Sequence, residues 1–283
     1  MRVLITGLDG FTGKYLQAEL KKNRHEVIGL KSDLLDPHSL RKEISNIRPD
    51  TVAHLAGVSF VAHANANHIY NVNLVGSRNL LEALANNAKN LKSVLLASSA
   101  NVYGNSAQEI LDEAAPLMPA NDYAVSKLAM EHMARLWMDC LPIFIVRPFN
   151  YTGVGQTEKF LIPKIVKHFK AEKSLIELGN INVRREFGDV RTVAVIYRTL
   201  LEKCPLGKTV NICTGISYSI REIITFCEKI SRHKIKITVN PRFVRGNEVR
   251  ALKGDNSALL EVIGDKHKTY NIEETLEWML QLD

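Results

Sequence analysis

Short apolar runs alternate with segments of helical period through the first half of the chain. Arg2–Thr6 reads as a strand covered on both faces, because its continuous apolar run leaves no polar side for solvent. Residues 12–23 follow with their apolar positions on one helical face. A second strand is expected over 26–30, a helix from Pro37 to just before Pro49, and a third strand over 51–55. A long helix over 69–87 leads to a strand over 93–98, then to a helix over 122–138. The next strand, over 143–146, stops at Arg147-Pro148. This alternation predicts an α/β fold in which a doubly wound parallel sheet carries helices on both faces.

After Pro148 the pattern shortens. Helices over Leu161–Lys170, 193–203 and 220–232 mix with short strands and basic loops, without a low-complexity linker or an internal repeat. The second half is therefore expected to pack on the first as a smaller α/β cap. The expected division is a doubly wound domain over 1–155 and a cap over 156–283, with some segments of the cap returning to the first domain.

Composition narrows the picture. With 46% hydrophobic and 24% charged residues, a chain of 283 residues has enough apolar material for a full core. The net charge of +7 is dispersed, and aromatics make up only 7% of the chain, so no nucleic-acid partner is expected. A polyanionic small molecule fits the sign of the charge. No apolar run approaches the roughly 18 residues that span a bilayer. Val3-Leu4-Ile5 runs straight into a glycine loop, so a cytoplasmic chain with no membrane partner is expected. Four cysteines show no C-x-x-C pair, and nine histidines show no H-x-x-x-H pattern, so no metal is expected and the thiols read as free and buried.

Three groups of residues carry chemistry. Gly7, Gly10 and Gly13 follow the first strand and open a helix, with Phe11 and Thr12 between them; such a loop lets the backbone approach a pyrophosphate. At the end of the second strand, where an acid would bind ribose hydroxyls, stand Lys31 and Ser32. A cation and a hydroxyl suit a 2′-phosphate, so NADPH is the expected cofactor, with NADH possible; Asp33 is placed to accept from the adenine amino group. Tyr123 and Lys127, four residues apart, share one helix face, where an ammonium can lower a phenol's pKa. The glycine loop, Leu55-Ala56-Gly57, Ser99 and Pro148 all fall at carboxyl ends of strands, where this kind of sheet binds ligands.

Together these residues resemble the extended short-chain dehydrogenase/reductase superfamily, almost end to end, which implies a Rossmann-type NAD(P)-binding domain over 1–155 and a mainly GDP-sugar-binding domain over 156–283. Gly7 to Gly13 is similar to its cofactor loop, and His54-Leu55-Ala56-Gly57 to the turn beside the adenosine. Ser98-Ser99-Ala100-Asn101-Val102-Tyr103-Gly104 resembles its serine-bearing strand end. The resemblance implies Ser99, Tyr123 and Lys127 as catalytic residues, and extends the cofactor contacts to Leu34 and Pro148. Phe160 to Ile165 resembles the segment that packs on guanine in the GDP-mannose dehydratase branch, with Lys164 within it. Gly179 to Phe187 and Arg242 to Val249 resemble two further runs of that branch, which implies phosphate contacts from Arg185 and Arg245 and a ribose contact from Glu248. Asn150 is expected near the substrate phosphates. Gly246 stands where those enzymes have proline, and Ala100 and Asn101 stand where they have an acid, so dehydration is disfavoured.

The expected activity is NADPH-dependent reduction of the 4-keto group of GDP-4-keto-6-deoxy-D-mannose, to GDP-D-rhamnose or to its C4 epimer GDP-6-deoxy-D-talose. Rival readings are an epimerase or C4 dehydrogenase with tightly held NAD, and a non-catalytic NADP-binding regulator. By resemblance, a homodimer is expected to form through the helices over 69–87 and 122–138.

Overall fold

The computed structural model describes residues 1–59, 65–106, 108–243 and 251–282. The chain opens with β1 (Arg2–Thr6), α1 (Phe11–Lys22), β2 (Glu26–Gly29), α2 (Pro37–Ile47) and β3 (Thr51–His54). Asp36 caps α2 by accepting from the His38 and Ser39 amides, and Pro37 takes the first helical position, where its missing N–H costs nothing. Helix α3 (Ala66–Tyr70) runs through a π-helical segment (Asn71–Gly76) into α4 (Ser77–Asn87). The long helix thus begins three residues before its expected start and carries an internal widening at Asn73, which is buried.

Next come β4 (Ser93–Ala97), a 3₁₀ turn (Ala100–Tyr103), α5 (Asp122–Arg135) and β5 (Ile143–Pro148). Helix α5 ends three residues short of the expected 138: Leu136 lies out in solvent, and the chain turns there toward Pro142. The second half supplies β6 (Tyr151–Thr152), α6 (Leu161–Lys170), β7 (Leu175–Leu178), β8 (Arg184–Glu186), β9 (Gly188–Asp189) and α7 (Val190–Lys203). It continues with β10 (Thr209–Ile212), β11 (Ser217–Ser219), α8 (Ile220–Ser231), β12 (Lys236–Val239), β13 (Ala251–Leu252), α9 (Ser257–Ile263) and α10 (Ile272–Gln281).

Six parallel strands form the main sheet in the order β10-β5-β4-β3-β1-β2, the doubly wound arrangement the sequence predicts. Strand β10 comes from beyond residue 200 and pairs with β5, Val210 lying opposite Val146. Beneath one face, Leu4, Val52, Val94 and Ile145 pack with Leu40, Leu80 and Met130 from α2, α4 and α5. Against the other, Val3, Ile5, Leu95 and Phe144 meet Leu16 of α1 and Tyr197 and Leu200 of α7. A further core joins α6, α8 and α10 through Ile165, Ile224 and Leu276.

All four cysteines are free. Only Cys227 is buried; Cys204 and Cys213 are half-buried and Cys140 is exposed, which corrects the expectation of buried thiols. Among the described residues no helix is long and apolar enough to cross a membrane, and no group of three or more His, Cys, Asp or Glu could hold a metal.

Candidate active site

The loop between β1 and α1 needs glycine at two places. Gly7 has a left-handed φ of 72°, and a Cβ on Gly13 would stand 2.3 Å from the Gly7 carbonyl oxygen. Gly10 is the N-cap of α1, and no side chain caps this helix end. Its first-turn amides therefore face the ligand side with the positive end of the helix dipole, which fits a dinucleotide pyrophosphate. Phe11 stacks on Tyr151, with ring centroids 6.2 Å apart, and Thr12 shares a 2.7 Å hydrogen bond with the Tyr151 hydroxyl.

The end of β3 is fixed by a chain of hydrogen bonds. The Ser77 hydroxyl donates to the Asn73 carbonyl at 2.7 Å, so it accepts from His54 Nε2 at 2.8 Å; His54 Nδ1 then accepts from the Thr6 hydroxyl at 2.7 Å. Thr6 in turn accepts from the Ala56 amide at 3.0 Å. Burial, helped by the charge of Lys127, pushes the His54 imidazole down to about 3, so it is neutral. Leu55, Ala56 and Gly57 are thereby held beside the glycine loop, Ala56 touching the space over Gly7. Gly57 leaves room for Asn73 and Lys127: a Cβ there would lie 2.9 Å from Asn73 Oδ1 and 3.2 Å from Lys127 Nζ.

Ser99 lies just past β4 and caps the 3₁₀ turn, its Oγ accepting from the Asn101 amide at 3.2 Å. Asn121 caps α5 by accepting from the Ala124 amide, fixing the helix turn that presents Tyr123 and Lys127. Ser99, Tyr123 and Lys127 are all buried. Burial drives the Tyr123 phenol up to about 12, and the hydrogen bond from the Ser99 hydroxyl opposes it. The Lys127 ammonium, expected to lower that phenol, donates to the Ala97 carbonyl at 2.8 Å. Burial lowers Lys127 itself to about 8, against the pull of Glu131. Thus the site holds a protonated phenol and a serine hydroxyl beside a lysine whose charge is readily lost.

Pro148 closes β5, and Asn150 is exposed just beyond it, its carbonyl accepting from the Gly188 amide at 2.8 Å. Leu34 is buried against Gly76, and the Asp33 carboxylate accepts from the Leu35 amide at 2.9 Å. Lys31 and Ser32 follow β2 as expected, but a carboxylate already rests on them: that of Glu43. On the cap, Lys164 donates to the Glu177 carbonyl at 2.8 Å and stands over the Phe243 ring. Arg185 lies in β8 and donates to the Arg184 carbonyl at 2.8 Å. Arg245 and Glu248 lie outside the described residues. Tyr151, Asn73 and Glu43 escape a reading of the sequence, because only the packing of the chain brings them to their partners.

A parallel sheet with a glycine loop after β1, and with serine, tyrosine and lysine gathered at the ends of β4 and α5, defines a nucleotide-dependent oxidoreductase of the short-chain type. The chain belongs to the NAD dependent epimerase/dehydratase family, whose model matches residues 3–213. It is an NAD(P)-dependent enzyme of the nucleotide-sugar oxidoreductases and epimerases. It is 36% identical to GDP-6-deoxy-D-talose 4-dehydrogenase of Aggregatibacter actinomycetemcomitans, over 99% of this chain and 97% of that protein. Identity to GDP-6-deoxy-D-mannose reductase of Pseudomonas aeruginosa is 35%, over 94% of this chain and 91% of that one. The structure of RMD from Pseudomonas aeruginosa complexed with NADPH superposes with a TM-score of 0.88 at 32% identity, covering 99% of this chain and 97% of that one.

Proposed function

We propose that the chain reduces the 4-keto group of GDP-4-keto-6-deoxy-D-mannose, giving GDP-D-rhamnose or its C4 epimer GDP-6-deoxy-D-talose. The observation that carries the reading is the buried Tyr123 phenol, held protonated beside Ser99, with Ala100 and Asn101 rather than an acid following the serine. A phenol pushed up to about 12 is an acid in waiting, suited to quench an alkoxide rather than to abstract a proton. When bound, the reduced nicotinamide supplies a hydride to C4 of the sugar. Tyr123 donates its proton to the alkoxide oxygen forming there, and Ser99 donates a hydrogen bond to the same oxygen. Lys127, charged below about pH 8, stabilises the phenolate that remains.

Ala100 and Asn101, which follow Ser99, offer no acid to protonate a departing C6 oxygen, which disfavours dehydration. Asn150, Lys164, Arg185, Arg245 and Glu248 are the proposed contacts to the GDP-sugar. The names of the two curated relatives, both for GDP-6-deoxyhexoses, support that substrate class. The Aggregatibacter relative is named a dehydrogenase, which supports the same chemistry run in the oxidising direction as the second reading. A homodimer through the helices over 69–87 and 122–138 is part of the proposal; Val75 in the π-helical segment, Val125 of α5 and Leu136 just past its end are exposed and support it, and sedimentation equilibrium tests it.

The decisive assay follows absorbance at 340 nm with enzymatically made GDP-4-keto-6-deoxy-D-mannose and identifies the product by NMR. Oxidation of the dinucleotide with an axial or equatorial C4 hydroxyl in the product assigns the reductase and its stereochemistry. No oxidation, with NAD(H) bound to the purified protein, overturns it in favour of an epimerase.

A further inference from the structure

Lys31 and Ser32 stand at the end of β2, where an acid would face the ribose; the next residue, Asp33, spends its carboxylate on the Leu35 amide at 2.9 Å. The acid arrives from α2. Glu43, twelve residues beyond Lys31, reaches back over the turn: one carboxylate oxygen accepts from the Lys31 amide at 2.9 Å. The other accepts from the Ser32 amide at 2.7 Å and from the Ser32 hydroxyl at 2.5 Å. Partial burial raises this carboxyl's pKa, but the Ser32 hydroxyl, the two amides and the Lys31 ammonium outweigh it, so the group is held ionised below the ordinary range.

The position matters because, in a sheet of this topology, the adenosine ribose lies against the end of the second strand. The two nicotinamide dinucleotides differ only by a phosphate on that ribose. Two amides and a hydroxyl converging on one point are the donor set a phosphate would use, and here all three are spent on a fixed carboxylate. A phosphate would have to expel Glu43 or sit beside a like charge. A ribose without the phosphate offers hydroxyl donors, for which the carboxylate is a ready acceptor.

We propose that Glu43 governs the choice between the two dinucleotides and weights it toward the one without the 2′-phosphate. The residue supplies from α2 the acid that the end of β2 lacks, and Lys31 acts as its partner rather than as a phosphate ligand. The proposal rests on the dinucleotide site and not on the identity of the sugar.

The test measures dissociation constants for NADH and NADPH by isothermal titration calorimetry, in the wild-type protein and in Glu43→Gln. The wild type is expected to bind NADH about tenfold or more tighter than NADPH, and Glu43→Gln to shrink that ratio by about tenfold. A ratio unchanged by the substitution overturns the proposal. A second arm needs no variant: 5′-ADP is expected to displace NADH from the wild type more effectively than 2′,5′-ADP does, and the reverse order overturns the proposal. Binding of neither dinucleotide would overturn the cofactor site and this proposal with it. Neither arm uses a sugar, so a failed ketoreductase assay leaves both results readable.

Discussion

Glu131 grips the guanidinium of Arg147 with both carboxylate oxygens, at 3.0 and 2.7 Å, and solvent reaches neither side chain. The pair lies one helical turn beyond Lys127, and the same carboxylate accepts from the Ser98 hydroxyl, next to Ser99. Arg147 also donates to the Tyr103 hydroxyl at 3.0 Å, and Tyr103 donates to Asn211 of β10 at 2.7 Å. One buried ion pair thus joins α5 to β5 and, through Ser98 and Tyr103, links them to the segment after β4 and to β10.

Glu131→Gln strands a buried guanidinium, so it is expected to lower unfolding stability by about 3–5 kcal/mol, read from urea denaturation. It also removes a negative charge that raises the pKa of Lys127, so any activity that survives should lose its alkaline range at lower pH. A loss below 1 kcal/mol would show that the pair is solvated in solution.

Tyr123→Phe deletes the proton donor while keeping the ring. Turnover is expected to fall by about 10²–10⁴-fold, the usual worth of one acid–base group, with dinucleotide affinity by calorimetry within a few-fold of wild type. Near-normal turnover would remove Tyr123 from the mechanism.

Lys127 is lowered to about 8 by burial, so its charge disappears just above neutral pH. The profile of kcat/KM for the reduction should therefore bend downward near pH 8, and Lys127→Met should be slow at every pH with no such bend. A wild-type profile flat to pH 10 would contradict the assignment.

His54 gives a stability signature. Unfolded, an imidazole takes a proton near pH 6.5; folded, this one resists until about 3. Between those values the unfolded state binds the extra proton, so stability falls on acidification from pH 6.5, with a slope approaching about 1.4 kcal/mol per pH unit. His54→Gln, which keeps a donor for Ser77, should lack that slope in urea titrations at pH 7, 6 and 5. An identical slope in both proteins would assign the effect elsewhere.

The first half of the chain was legible because β1, β3, β4 and β5 are buried on both faces and write themselves as largely apolar runs, while Gly7 and Gly13 mark a turn that no other residue fits. Tyr123 and Lys127 were legible because one helical turn separates them. Glu43 was not: Lys31 and Ser32 stand at the strand end itself, and only the packing of α2 brings this carboxylate there. Tyr151 was missed for a similar reason, its partners Phe11 and Thr12 lying 140 and 139 residues upstream. The helices Ser257–Ile263 and Ile272–Gln281 were overlooked, although Asn271 and Glu274 form a capping box readable from their spacing. The burial that raises the phenol of Tyr123 has no sequence signature at all, since it depends on what covers the end of β4.

Strand β10 gives the molecule a deadline. Until residues 209–212 leave the ribosome, β5 stands as the sheet's open border, a run of Ile143, Phe144, Ile145 and Val146 with its backbone groups unpaired. A nascent chain of some 150 residues already holds the nucleotide loop and the tyrosine helix, yet it exposes a sticky apolar seam that invites other chains to pair. Synthesis and folding are thereby coupled across sixty residues, and a fragment ending near 155 is expected to aggregate rather than to serve as a free-standing nucleotide binder.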